Sequence, residues 1–489
     1  MSVKKILFGT ALLSAVRVFR LLSQFVAIPI LSRLLSPAEY GLVALAMPFA
    51  VFAMLLADAG IGMSLVRTPA SERRQWSTCF WLAIVMGAVL CAIVAGIAPI
   101  AAHVFNEPEL TPIIITLSIV VLLQAIHLIP VAALQQAERF KSIALVDVLS
   151  TVIGLTIAVY MAHHGYGAWA LIGQQLALFV VRVVMMCWLS PFRPLLVFDW
   201  PLVREHMLFG RNVLGTSLIN YFSRTFDNWV IGRSLGAGIL GFYSMAFQFA
   251  RLPGTIVTGP LQYVIYSQLA KLKDDSLGIS NIFFVATRFI AILVLPTMGM
   301  VAVAHTPIFT ILLSDKWNHA GYIFMILAPA SALQAVVCIG ETVIYAKGRT
   351  DIQMRASAEY TVLWVIALIG AVSFGLPAAA LAYSACTILY QFRYLSVVLP
   401  LIGLRMRYYF SAYINPLLCT AAGMLAYTFI ESTAARSYLT ETLIAAFIAL
   451  CAIITSLLTQ QRLLRAEISK LNIGKASMPL QLDTGIEDN

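Results

Sequence analysis

The chain has 489 residues, of which 61% are hydrophobic and only 11% are charged, and its formal net charge at pH 7 is +10. Its mean hydropathy of +0.89 exceeds what a soluble core of this length needs, which excludes an ordinary soluble globular protein. A charge of this size can indicate nucleic-acid binding, but the distribution of the basic residues argues against that class of partner.

Apolar runs of about 20 residues recur along almost the whole chain, and each is long enough to cross the hydrocarbon layer as an α-helix. We therefore predict an all-α polytopic membrane protein with about fourteen transmembrane helices, and find no alternating pattern typical of a membrane barrel. The predicted spans are 8–32, 40–66, 79–102, 113–136, 143–162, 166–190, 211–234, 239–261, 282–304, 320–346, 357–375, 377–400, 411–431 and 437–459.

The basic residues alternate between the two sides of the membrane. With the N-terminus placed inside, the inner segments hold 21 Lys and Arg residues and the outer loops hold four. This asymmetry follows the positive-inside rule and predicts that both termini are cytoplasmic. Seven arginines remain within the spans: Arg17, Arg20, Arg182, Arg224, Arg251, Arg288 and Arg393.

The sequence repeats itself. Residues 32–49 align with 232–249 at an offset of 200, and residues 136–171 align with 346–381 at an offset of 210. Because each repeat contains six spans, both halves should enter the membrane in the same direction, as in transporters with parallel repeats. The predicted domains are an N-terminal lobe (1–200), a C-terminal lobe (201–408), two additional helices (409–460) and a cytoplasmic tail (461–489).

Polar residues on the first helix of each half follow helical spacing and so share a face. In the first span they are Arg17, Arg20 and Gln24; in the seventh they are Ser217, Asn220, Arg224 and Asp227. Arg251 on the eighth span lies on a similar polar face. Since lipid disfavours such faces, we expect them to line a cavity that binds an anionic substrate.

Structural alternatives stay open for these residues. Arg17 and Arg20 could snorkel to the headgroups, and Arg224 and Arg251 could form structural ion pairs. Arg288 fits either a cavity or a structural role. The deep acids Asp58 and Asp227 could pair with an arginine or carry a coupling ion, whereas Arg182 and Arg393 lie near cytoplasmic ends, where snorkelling is expected.

Four segments resemble the Wzx-type polysaccharide-export flippases, a family within the superfamily that also contains multidrug extruders. They are RLLSPAEYGLVALA (33–46), DAGIGMSLVR (58–67), FDNWVIGRSLGAGILGFYSMA (226–246) and DKWNHAG (315–321). The resemblance implies a two-lobed fold in the inner membrane of a bacterium that flips undecaprenyl-diphosphate-linked oligosaccharide by alternating access. It also implies that Arg17, Arg20, Arg224 and Arg251 bind the diphosphate, and it suggests polymerase and chain-length components as partners alongside membrane lipids.

Two other classes of function compete with a flippase. The first is an ion-coupled exporter of drugs, or of another lipid precursor, within the same superfamily. An exporter of cationic drugs would favour an acidic cavity, whereas the predicted cavity is basic. A membrane-embedded glycosyltransferase or polymerase would need acidic catalytic residues and a large outer loop. The chain has no nucleotide-binding loop, hydrolase elbow or metalloprotease helix, so we expect no enzymatic activity, no cofactor and no metal site.

Overall fold

The computed structural model describes residues 3–58, 65, 72–201, 218, 221–222, 225–272, 275–433 and 436–476, and these residues are almost entirely helical, without a strand. The helices are α1 (Val3–Leu34), α2 (Pro37–Asp58), α3 (Arg73–Phe105), α4 (Leu110–Gln136), α5 (Phe140–His163), α6 (Trp169–Leu189), α7 (residues 225–235), α8 (Ala237–Ala250), α9 (Gly259–Lys271), α10 (Ser276–Val303), α11 (His305–Leu313), α12 (Asn318–Val337), α13 (Ile339–Ala346), α14 (Thr350–Val372), α15 (Leu376–Leu401), α16 (Met406–Thr433) and α17 (Tyr438–Ala476).

Within the described ranges, 11 helical segments are long and apolar enough to cross a membrane. The predicted all-α polytopic fold is therefore confirmed. Three of the predicted spans are not among these segments. Span 211–234 lies mostly outside the described residues, span 239–261 is divided between α8 and α9, and span 377–400 corresponds to α15.

The chain forms two compact units, Met1–Ser244 with Leu312–Trp317 and Met245–Ile311 with Asn318–Asn489. In the first unit α4 packs against α2, α3 and α6, and α1 packs against α5. In the second unit α10 packs against α12, α16 and α17. Helices α4 and α10 are apolar on most faces and supply many of the buried residues, as expected for helices in the centre of a bundle. The domain boundaries read from the sequence stay predictions.

The repeat is visible in local geometry at the turns before α5 and α14. Glu138 and Gly348, which are 210 positions apart, both have a positive φ, of 55° and 71°. The next residues, Arg139 and Arg349, each donate their backbone N–H to a carbonyl five residues earlier, at 2.9 and 3.0 Å. The same helix-ending turn therefore occurs at equivalent points of both repeats.

Helices α2 and α8 begin 200 positions apart and contact each other closely within the first unit. A Cβ atom added at Gly41 would lie 1.7 Å from the carbonyl oxygen of Ala237, and one added at Gly241 would lie 1.8 Å from that of Pro37. Because Pro37 and Ala237 are themselves the first residues of the two helices, the contact is reciprocal. Only glycine allows two helix backbones to approach this closely.

The DKWNHAG segment supplies an anchor for the end of α1. Trp317, in the 3₁₀ turn Asp315–Trp317, is fully buried, and its indole N–H donates to the carbonyl of Ser32 at 2.8 Å. Its ring packs edge-on against Tyr40 and Phe242, with centroid distances of 5.2 and 6.1 Å. The turn therefore connects the ends of α1, α2 and α8 within the first unit.

We predict that Gly41→Ala and Gly241→Ala each destabilise the protein by about 1–3 kcal/mol, the usual cost of inserting a methyl group into a closely packed contact. Gly96→Ala in α3 is the matched control, since nothing lies within 4 Å of its added Cβ. Thermal unfolding of the purified proteins measures the effect. Equal melting temperatures for all three variants would contradict the close α2–α8 contact.

Candidate functional site

Three predicted site residues lie together on one face of α1. Arg17, Arg20 and Gln24 follow each other at steps of three and four residues, and all three side chains are exposed. The C-terminal part of the helix is held by packing, because Leu31 is buried in a cluster with Ala158 of α5. The arginines therefore lie on the exposed part of a helix whose other end is anchored.

A second arginine lies near Arg20. Arg182 on α6 interacts electrostatically with Arg20 and forms an ion pair with Asp147 on α5, with 3.0 Å between Nη2 and Oδ1. The side chains of Arg182 and Asp147 are only 16% and 23% exposed. The prediction that Arg182 snorkels to the headgroups is therefore wrong, since a carboxylate on the neighbouring helix holds its guanidinium within the bundle.

Arg251 lies at a break in the eighth span. It directly follows α8, its side chain is exposed, and its guanidinium carbon is 4.5 Å from the ring centre of Phe247. A π-helical turn, Gly254–Thr258, begins three residues later, and Thr255 donates its hydroxyl to the carbonyl of Leu252 at 3.0 Å. Single π-helical turns occur frequently at functional sites.

Arg288 has a different environment from the other predicted ligands. It is 3% exposed, and its guanidinium carbon lies 4.6 Å from the ring centre of Phe284. Phe284 in turn stacks on Tyr408 of α16 at 4.4 Å. A cation over an aromatic face is stabilised most strongly when it is desolvated, so this packing favours the structural alternative for Arg288.

The acidic candidates lie at the ends of two helices of the first unit. Asp227 on α7 is 5% exposed; its Oδ2 accepts from the Tyr243 hydroxyl at 2.8 Å and its Oδ1 from the backbone N–H of Asn228 at 3.0 Å. Asp58, the last residue of α2, is half-buried. The Asp227 carboxylate is therefore stabilised in its buried position by hydrogen bonds to both of its oxygens.

Two predicted ligands, Asn220 and Arg224, lie outside the described residues. The candidates that the structure brings together are thus the three on α1. In the described part of the chain, no group of three or more His, Cys, Asp or Glu residues is arranged to hold a metal ion.

A partly open cavity in the second unit is a feature that no sequence pattern indicated. It is lined mainly by tyrosine and glutamine side chains of α12, α14 and α15, together with Glu341 of α13. Tyr394 donates its hydroxyl to Gln353 at 2.9 Å. Because its residues come from four helices, no stripe on a single helix could reveal the cavity.

Helices of membrane-spanning length and apolar composition define a polytopic membrane protein, and one of these helices carries exposed arginines. The chain belongs to the polysaccharide biosynthesis protein family, whose family model matches residues 30–322. This confirms the family resemblance found in the sequence.

Two relatives illustrate the family. The lipopolysaccharide biosynthesis protein WzxC of Escherichia coli K12 is 26% identical over 351 residues, which is 70% of each chain. The succinoglycan biosynthesis transport protein ExoT of Rhizobium meliloti is 27% identical over 321 residues, covering 65% of this chain and 64% of ExoT.

A solved structure shares the fold. The lipid II flippase MurJ, in an inward closed conformation, superposes with a TM-score of 0.71 over 92% of this chain and 99% of MurJ, at 13% sequence identity. At that identity the likeness shows the fold alone.

We predict that Tyr243→Phe destabilises the protein by about 1.5–3 kcal/mol, because the Asp227 carboxylate loses a buried hydrogen bond. Tyr263→Phe is the control, since Tyr263 is 80% exposed. Thermal melting of both variants checks the difference. If the melting temperature of Tyr243→Phe equals that of the wild type, the hydrogen bond to Asp227 does not contribute to stability.

Proposed function

We propose that this protein is a flippase that moves undecaprenyl-diphosphate-linked oligosaccharide repeat units across the bacterial cytoplasmic membrane by alternating access. Membership of the polysaccharide biosynthesis family supports a role in making a polysaccharide, and the relative ExoT is named as a transport protein of succinoglycan biosynthesis. The fold shared with a lipid-linked-precursor flippase supports a transport mechanism rather than catalysis. The flipped repeat units would be polymerised into exopolysaccharide, lipopolysaccharide O-antigen or capsule.

One observation carries the proposal: α1 exposes two arginines and an amide on a single face of an apolar, membrane-length helix. A guanidinium has five N–H donors in a planar fork, which matches the oxygens of a diphosphate better than the ammonium of lysine does. All the cations within the predicted spans are arginines. Amides such as Gln24 and Asn220 would serve the sugar hydroxyl groups.

The lipid tail need not leave the bilayer in this mechanism. The polar head passes along the arginine-bearing faces while the tail remains in hydrocarbon, so only the head has to be transferred. Both termini would lie in the cytoplasm, and the polymerase and chain-length components of the pathway would receive the flipped substrate on the outer side.

An ion-coupled multidrug exporter is the rival function. Such a protein would present carboxylates to cationic drugs, whereas the exposed charged candidates in the described part of the chain are arginines. The carboxylate of Asp227 is buried and accepts two hydrogen bonds, so it is not presented to a drug in this conformation. The balance of exposed charge therefore supports an anionic substrate.

We predict that Arg20→Ala lowers polymer export about ten- to a hundredfold, the factor expected when a charge-assisted hydrogen bond worth about 1.5–3 kcal/mol is lost. Arg17→Ala and Arg224→Ala should act in the same direction, with lipid-linked precursor accumulating inside the cell. Polymer output and the extracted precursor are measured in the same cultures.

Arg436→Ala is the matched control for these substitutions, because this exposed arginine lies outside the predicted spans and donates to a nearby carbonyl, that of Ile430. It should export normally. Normal export with alanine at Arg17, Arg20 and Arg224 together would contradict the assignment of a diphosphate to these residues.

A further inference from the structure

A cluster of charged residues and a histidine in the first unit extends inward from Arg20, on the polar face of α1, to three neighbouring helices. We call it the Arg182 cluster: Arg182 on α6, Asp147 on α5, His127 on α4 and Arg20 on α1. Arg182 lies seven residues before the end of α6, and Asp147 lies seven residues after the start of α5. At 1.5 Å per residue, the ion pair is about 10 Å inside the ends of its helices.

The ion pair leaves donor capacity on the guanidinium. The contact to Asp147 is made through Nη2, whereas Nε is buried and has no hydrogen-bond partner among the described residues. Phe179, one turn before Arg182, lies 5.8 Å from its guanidinium carbon. A buried donor without a partner calls for an explanation, and an acceptor that binds in a working state of the protein would supply one.

The charges around the pair do not balance. Arg182 interacts electrostatically with Arg20 as well as with Asp147, so among the described residues that act on it one carboxylate is set against a second guanidinium. His127 is 8% exposed, its Nδ1 is 2.9 Å from the carbonyl of Gln124, and it interacts electrostatically with both Arg182 and Asp147. An anion with several acceptor oxygens would satisfy both the unpaired Nε and the excess positive charge.

We propose that Arg182 is a ligand for the diphosphate of the lipid carrier, and that Asp147 holds its guanidinium in position while the head group is absent. The proposal rests on the proposed function, since it takes the same substrate class. Arg20, which is exposed, meets the diphosphate first. Arg182 then shares it through Nε and the donors that Asp147 releases, so Asp147 positions a ligand without binding the substrate.

The test is binding of undecaprenyl diphosphate to the full-length protein in nanodiscs, compared for the wild type, Arg182→Gln, Asp147→Asn and the double variant. Thermal melting is recorded for each variant. We expect Arg182→Gln and the double variant to bind at least tenfold more weakly. We expect Asp147→Asn to bind as well as the wild type or better, since the amide keeps an acceptor oxygen but competes less for the guanidinium.

A purely structural ion pair predicts the opposite pattern. Arg182→Gln and Asp147→Asn would then both weaken binding through misfolding, and the double variant, which leaves no uncompensated charge, would recover binding and melting temperature. That recovery would overturn the inference, as would wild-type affinity in a stable Arg182→Gln protein.

The Arg393–Glu359 pair on α15 and α14 provides the control. It joins two neighbouring helices in a similar way, but its side chains are 56% and 50% exposed and its charged atoms are 3.9 Å apart. Arg393→Gln should leave binding unchanged. If the wild type binds undecaprenyl diphosphate no better than undecaprenol, the proposed function itself fails; if it binds the diphosphate and Arg182→Gln binds equally well, only the role of Arg182 fails.

Discussion

The cost of a guanidinium in hydrocarbon governs how this protein is built. Placing one at the bilayer centre costs about 2.5–3.5 kcal/mol even on insertion scales that allow for local adjustment. The described arginines meet that cost in different ways. Arg288 is enclosed over an aromatic ring and Arg182 is held by a carboxylate, whereas Arg17 and Arg20 are exposed on α1. Exposed arginines on an apolar helix therefore require a functional explanation.

The packing of the first unit keeps that exposed face in place. The end of α1 is anchored by the indole of Trp317 on the Ser32 carbonyl and by burial of Leu31 among small residues of α5. Alanine side chains such as Ala158 allow the two helices to approach closely, and the reciprocal glycine contact does the same for α2 and α8. Strong anchoring at one end of α1 leaves the arginine-bearing part free of tight packing, which suits a helix that handles a passing head group.

The fold follows largely from the sequence because hydropathy and repetition act over long stretches. In the structure, α2 and α8 begin at residues that the offset of 200 aligns, and Glu138 and Gly348, which the offset of 210 aligns, lie in the same kind of turn. The pairing of side chains on different helices does not follow from hydropathy or repetition. Asp147 and Arg182 lie on neighbouring helices, and the packing of α5 on α6 brings them together. Because their positions in the sequence do not reveal this pairing, Arg182 was predicted to snorkel. The same limit applies to the cavity in the second unit, whose lining comes from four helices.

We propose that guanidinium groups in the membrane select a diphosphate-linked lipid. Translocation by the purified wild-type protein in proteoliposomes tests it most directly, with the same oligosaccharide attached to undecaprenyl through either a diphosphate or a monophosphate. We expect rapid flipping of the diphosphate-linked lipid and at least tenfold slower flipping of the monophosphate-linked one. Equal rates for the two lipids, or no flipping of either, would contradict it.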